Sequence, residues 1–373
     1  MGHVSAKCLR HKARRISFNP MAPSNSSTTL FSNSTSSEIN YFVYTNIMAT
    51  IFVLIAMLGI IGNSIVIFMV IKNFKFKSSG SRVPDVFFIS LSVVDLLFLM
   101  GMPFVIPELL GNRGWYFGRR MCTVISVMDT NTQFCSTYIL TAMTIDRYLA
   151  IVYPLTSARF RKPSVATLTV CCLCLLSFLS VTPVWMYARL LRQPGGVSGC
   201  VIRFPNPKTD IYWFTLYQFF LAFAIPFTII SVAYRKILLK MSSPSSLLSQ
   251  ERARLRTRRV ARIASTICLA FLLCWAPFYL LQLVELAPAE PTLMFYYAYV
   301  AAVGLGYASS CLNPFIYIIL CNNFRKSFIV SVRPSSGVHR AVAWIGKDAA
   351  HQQDQDHGQR QPSLPSPRSG KTY

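Results

Sequence analysis

Three carboxylates in this chain sit where acids are expensive. Asp95 and Asp129 lie deep inside apolar stretches, and Asp146 opens the triplet Asp146-Arg147-Tyr148 at the end of another. Ionisable groups in such surroundings mark sites that bind, relay or switch. Asp129 and Arg147 are 18 residues apart. On one helix, at about 3.6 residues and 5.4 Å per turn, that is roughly five turns and about 27 Å. The two would share a face at opposite ends of a hydrocarbon layer about 30 Å thick. Cys122 lies about two turns beyond Asp129 on the same face. A single helix over 122–148 is therefore predicted to carry a cross-linking cysteine, an acidic anchor near one membrane surface and a charge pair at the other.

The remaining polar residues at depth extend this picture. Asn63 and Asn313 occur where their own helices would bring them near Asp95. The set reads as a polar knot, structural or switching. With Ser136 it also offers the hard oxygen donors that suit a hydrated sodium ion, the one metal the spans suggest. No basic residue shares the depth of Asp129 within the spans, so a cationic ligand arriving from outside is expected there; the blander reading is a carboxylate satisfied by Tyr307 and water. Gln218, Gln282 and Tyr307 are expected to line the same outward-opening pocket. Trp275 stands two residues before Pro277, at a bend. The five histidines, 3, 11, 339, 351 and 357, all fall in the tails. No histidine-based catalytic or metal site forms within the spans, and an enzyme is not expected.

The elements that must position these residues are membrane helices. The chain has 373 residues, 53% hydrophobic and 13% charged, against about 25% charge in a soluble domain. Seven apolar segments, 46–71, 84–107, 119–151, 165–187, 211–238, 259–284 and 293–320, are each near the roughly 20 residues that a span needs. Prolines 103, 183, 226, 277 and 314 each permit a kink within a span. The formal charge of +24 does not signal nucleic acid, because the basic residues lie between apolar runs and form no recognition module. They sort by side: the loops 72–82, 147–162 and 235–262 and the tail 325–371 hold 25 of the 37. That bias places the N-terminus outside and the C-terminus in the cytoplasm of a multi-pass plasma-membrane protein. The sequons at Asn25 and Asn33 agree with an outer, glycosylated tail. Residues 1–45 read as that disordered tail, 46–320 as the seven-helix domain, 321–333 as a short amphipathic helix on the lipid, and 334–373 as a disordered cytoplasmic tail. Residues 1–40 hold no apolar signal core, so the first span is expected to direct its own insertion. Of eleven cysteines, Cys122 and Cys200 alone reach a predicted outer surface within the helical domain, and a bridge between them would pin the 189–210 loop over the third helix.

Gly62-Asn63, Leu91–Asp95, Cys122, Asp146-Arg147-Tyr148, Cys274-Trp275-Ala276-Pro277 and Asn313-Pro314-Phe315-Ile316-Tyr317 fall on successive helices. In that order they resemble the rhodopsin-like G-protein-coupled receptors, over about 45–332. The run Asn206–Phe223, with Ser90–Pro103, Ser136–Tyr148, Arg161–Thr167 and Thr182–Arg189, is similar to the melanin-concentrating hormone receptors, nearest their type 1 branch. The somatostatin and opioid receptors are more distant. The resemblance implies an all-α, seven-helix receptor for a cyclic, arginine-containing neuropeptide, with Asp129 taking the arginine as a charge-assisted pair. It further implies coupling to heterotrimeric G proteins of the Gi/o and Gq classes. Asp146, Arg147, Tyr148, Tyr317 and Thr257 then form the activation machinery at the inner end.

Three residues depart from the family pattern. Cys174 replaces a fourth-helix Trp, Ser309 replaces a seventh-helix Asn, and Thr257 replaces the acid that many members pair with the triplet Arg. Ser309 takes one amide donor from the sodium reading, and Thr257 leaves Arg147 to Asp146. A somatostatin-like receptor, using Asp129 for a lysine, is the alternative within the family. A secondary transporter, from another class, would show inverted repeats and broken helices, and neither is visible. A retinal-binding photoreceptor would need a lysine in 293–320, where there is none.

Overall fold

The computed structural model describes residues 27–74, 79–110, 114–192, 198–242, 248–287 and 292–320, with backbone alone for some of them. The expected eighth helix, the serine-rich tail and Asn25 lie outside the described residues. Seven long helical elements follow one another: α1 (Ser27–Phe74), α2 (Ser79–Leu110), α3 (Gly118–Val152), α4 (Pro163–Ser180, with a further turn Thr182–Tyr187), α5 (Pro207–Phe219 and Ile225–Ser242), α6 (Leu248–Val284) and α7 (Leu293–Leu320). Five of the apolar stretches, Tyr41–Lys72, Arg82–Pro107, Pro163–Tyr187, Thr209–Lys240 and Arg258–Val284, are long and apolar enough to cross a membrane. α3 carries more polar residues, and the packing accounts for it. α3 buries seventeen of its residues, among them Thr130, Thr132, Gln133, Thr137 and Thr144. The helix at the centre of a bundle can be polar because other helices, and not lipid, cover it.

The outward faces show the converse. Leu168, Leu175 and Leu179 of α4 are 65, 61 and 59% exposed, which suits hydrocarbon surroundings and would be an aggregation liability in water. Small residues draw the helices together: a Cβ on Gly62 of α1 would lie 2.8 Å from the Pro314 ring of α7.

Prolines shape the helices in more than one way. α4 breaks at Val181, two residues before Pro183, whose ring and missing N–H disfavour a continuous helix. α5 opens into a π-helical turn, Phe220–Ala224, just ahead of Pro226, the usual accommodation when one intrahelical bond is lost. α6 and α7 run through Pro277 and Pro314 as helices. α1 begins at Ser27, ahead of the span that starts at Tyr41. Residues 27–45 contain no Gly or Pro, so nothing interrupts the helix as it extends back from the span.

Between α4 and α5 the chain forms a hairpin of β1 (Ala188–Arg192) and β2 (Ser198–Ile202), antiparallel, with Leu190 opposite Cys200. Cys200 is disulfide-bonded to Cys122 near the start of α3, at an S–S distance of 2.07 Å. The Trp115 amide donates to Ser198 O at 2.8 Å, and its indole Nε1 donates to Gly118 O at 2.8 Å. Gly118 sits at φ +80°, a conformation costly for any residue with a Cβ. That turn lets the chain enter α3 directly beneath the hairpin.

Candidate functional site

Three layers of polar chemistry are threaded along α3. In the first, Tyr307 of α7 donates its hydroxyl to Asp129 Oδ1 at 2.7 Å. Asp129 is half-buried, and Tyr307 is buried at 3% exposure. An aromatic floor continues from this pair. Phe98 of α2 stacks on Tyr307 with ring centroids 4.3 Å apart and planes 16° from parallel. Trp275 of α6 lies 5.9 Å from Phe98 and 6.3 Å from Tyr279. Gln133, one turn along α3 from Asp129, donates to the Tyr279 hydroxyl at 2.7 Å. Gln282 is one turn beyond Tyr279 and 8% exposed, and Gln218 precedes the aromatic Phe219 and is 1% exposed. Gln218 Nε2 finds no hydrogen-bond partner among the described residues. A buried amide donor in that state is a ready contact for an incoming carbonyl or carboxylate.

The Trp275 indole is fixed from α7. Its Nε1 donates to Ser309 Oγ at 3.2 Å, and Ser309 in turn donates to Gly306 O at 2.7 Å. A Cβ on Gly306 would come 3.0 Å from the indole ring. Ser309 thus acts as the indole's acceptor.

The second layer is a knot around Asp95 that includes Ser310. Asn313 Nδ2 donates to Asp95 Oδ2 and Ser310 Oγ to Asp95 Oδ1, both at 2.7 Å. Asn63 Nδ2 ties α1 to the same place, donating to Gly59 O at 2.9 Å and Ser310 O at 3.0 Å. Ser310 is the hydroxyl that holds Asp95, and Ser136, the further oxygen donor expected for a sodium ion, is buried at 6% exposure. The donor set of carboxylate, hydroxyl and amide fits a sodium ion in chemistry, while the two shortest contacts at Asp95 are made by protein donors.

At the inner end Arg147 is 3% exposed and pairs with Asp146. The partnership is shared: Arg161, from the segment before α4, donates through Nε to Asp146 Oδ1 at 2.8 Å. One carboxylate thus serves two guanidiniums, where the sequence had suggested one. Tyr317 is buried and meets Phe88 edge-on at 4.8 Å. Tyr148 packs against Tyr153 at 5.9 Å and lies 5.8 Å under the Lys236 ammonium. Thr257 lies on α6, with its side chain outside the described residues, as is that of Asn33 on α1.

Cys174 has found a different use from the tryptophan it replaces. Its sulfur approaches Cys135 Sγ of α3 at 3.1 Å, and one turn along, Ser177 donates to Asn131 Oδ1 at 2.6 Å. Polar and thiol contacts join α3 to α4 where an indole would otherwise fill space.

Comparison with known proteins fits this arrangement. The chain is 61% identical to melanin-concentrating hormone receptor 1 of Rattus norvegicus over 290 residues, 78% of this chain and 82% of the relative. It is 60% identical to the protein of that name from Homo sapiens over 298 residues, 80% and 84% of the two chains. Identity to somatostatin receptor type 2 of Sus scrofa is 32% over 307 residues, 82% of each chain. Residues 62–317 match the description 7 transmembrane receptor (rhodopsin family). The fold is accordingly a multi-pass membrane bundle of seven helices, and its business is reception and not catalysis. With the match running from Gly62 in α1 to Tyr317 in α7, this chain belongs to the rhodopsin family of seven-transmembrane receptors.

Proposed function

We propose that the chain is a plasma-membrane receptor for melanin-concentrating hormone, a cyclic, arginine-containing neuropeptide, and that it signals through heterotrimeric G proteins of the Gi/o and Gq classes. The observation that carries this reading is the gap in identity. Relatives bearing that hormone's name stand at 60–61%, and the somatostatin receptor at 32%. The geometry supports the mode of recognition. Asp129 is a half-buried carboxylate with one oxygen oriented by Tyr307, and a guanidinium approaching it forms a charge-assisted pair in a site of reduced dielectric. Gln218, Gln282 and Tyr307 are the proposed contacts around it, above the aromatic floor. The N-terminus faces outside, with Asn25 and Asn33 as glycan acceptors, and the C-terminus faces the cytoplasm.

Signal transfer follows α3 and α6. The hormone favours the active arrangement only by binding it more tightly than the resting one. In that arrangement α6 swings about Trp275 and Pro277, Arg147 leaves Asp146, and Tyr317 supports the freed guanidinium while a G-protein α subunit enters. The knot of Asp95, Asn63, Ser310 and Asn313 lies between the two ends, and a sodium ion there would favour the resting arrangement. Competition binding with a panel of cyclic peptides on transfected cells tests the assignment. Melanin-concentrating hormone should displace the tracer at far lower concentration than somatostatin, and the reverse order would establish the somatostatin-like alternative.

A further inference from the structure

On its lipid-facing side the bundle carries a groove of about 830 Å³ between α3, α4 and α5, within the ~300–1,000 Å³ of ordinary small-molecule sites. Its lining is overwhelmingly apolar, with Leu173 of α4 and Ile229 of α5 among the walls and Ala142 of α3 on the floor. Along α3 it runs from Tyr138 to Leu149, about 16 Å of helical rise. That is close to half of a ~30 Å hydrocarbon core, the depth of one leaflet. Polar character gathers at one end, where Asp146, Arg161 and Lys162 line the mouth. Lys162 is exposed, and Arg161 keeps 21% of its side chain accessible while paired to Asp146.

We propose that this groove holds an acyl chain of an anionic phospholipid whose phosphate binds Arg161 and Lys162, and that the lipid thereby regulates the Asp146–Arg147 pair. Three observations select the occupant. Leu176 of α4 and Ile225 of α5 line the groove and are each 50% exposed on the outward face, so it opens to the bilayer and the ligand is drawn from lipid and not from water. The one-leaflet depth matches a lipid tail. The paired cations at the mouth complement a phosphate headgroup, which a sterol lacks. Arg161 supplies the regulatory link. It shares Asp146 with Arg147, so a phosphate that draws Arg161 away leaves Asp146 wholly to Arg147. The resting pair is then tighter and basal signalling falls. The proposed orientation enters only in deciding that the cytoplasmic leaflet supplies the lipid.

Hormone-free receptor in nanodiscs of phosphatidylcholine, with and without phosphatidylserine, provides the test. Native mass spectrometry should find phosphatidylserine retained on the wild type. Retention should fall roughly tenfold in Arg161→Gln/Lys162→Gln, which removes two surface cations, and to a similar degree in Ala142→Phe, which fills the floor. Soluble glycerophosphoserine should not displace the lipid. Phosphatidylserine should also lower basal nucleotide exchange on a purified G protein with the wild type and leave it unchanged with the double variant. Equal retention of the two lipids, or full retention by the double variant, overturns the proposal. Should Ala142→Phe not elute as a folded monomer, Lys162→Gln decides the matter alone, since it changes only an exposed side chain. No arm uses the peptide, so a wrong hormone assignment leaves this result standing.

Discussion

The two ends of α3 hold their carboxylates in opposite ways. Asp129 is half-buried and receives a neutral hydroxyl from Tyr307. Asp146 is 10% exposed and receives two guanidiniums, from Arg147 and Arg161. A hydroxyl orients a carboxylate without neutralising it. A carboxylate already shared by two cations acts as a restraint that must be released. Under the proposed function the contrast separates recognition from latching along about 26 Å of one helix, and it can be pressed from either end.

The largest effect is expected at the recognition end. Asp129→Asn keeps the shape and removes the charge, and loss of a partly desolvated charge pair costs about 3 kcal/mol, or roughly 100-fold in hormone potency. Potency in a calcium or cyclic-nucleotide assay, at matched surface expression, measures this; unchanged potency would remove Asp129 as the anchor. Tyr307→Phe should cost roughly tenfold, since it removes a hydrogen bond to a charged acceptor. Added to Asp129→Asn it should cost almost nothing more, because the two residues act as one unit.

At the latching end the sign reverses. Asp146→Asn weakens the hold on both guanidiniums, and basal signalling should rise about fivefold, equivalent to about 1 kcal/mol. Arg161→Gln, measured in phosphatidylcholine alone, should lower basal signalling about twofold by leaving Asp146 to Arg147. If both inner variants shift it in the same direction, Arg161 is not a competitor for the carboxylate. The smallest change is expected between the ends. Ser309→Ala removes the acceptor of the Trp275 indole, worth about 1 kcal/mol, and should lower the melting temperature by roughly 2 °C with potency nearly unchanged.

How much of this could be read beforehand depended on whether a feature is local. The span of α3 was legible to within a residue or two, since 119–151 became Gly118–Val152. The Asp95–Asn313 contact followed from depth alone, and so did the cross-link of Cys122 to Cys200. Depth does not give azimuth, however. Which hydroxyl reaches Asp95 depends on how α7 is rotated, and nothing in the spacing marks Ser310 for that contact. Gln133 and Tyr279 escaped for the same reason: two polar residues on different helices carry no mark of being partners. Arg161 was counted only as a topological charge, because nothing in a spacing of fifteen residues foretells that a one-turn helix, Pro154–Ser157, returns it to Asp146. The hairpin did have a signal. Pro194-Gly195-Gly196 separates two short runs and reads as a turn, but strands of five residues are too brief for alternation to announce them. The start of α1 at Ser27 carries little hydrophobic signal, because the residues ahead of the span are polar.

The bare backbone at Gly306 has a mechanical consequence. With no side chain beneath it, the Trp275 indole rests directly on α7, and its ring and the helix face form a bearing instead of a socket. No protruding group separates the indole from the helix there, and the Ser309 hydroxyl holds its Nε1. Even a methyl at 306 would act as a brake pad. In the proposed swing of α6, an atom that α7 does not have would set how far the helix turns.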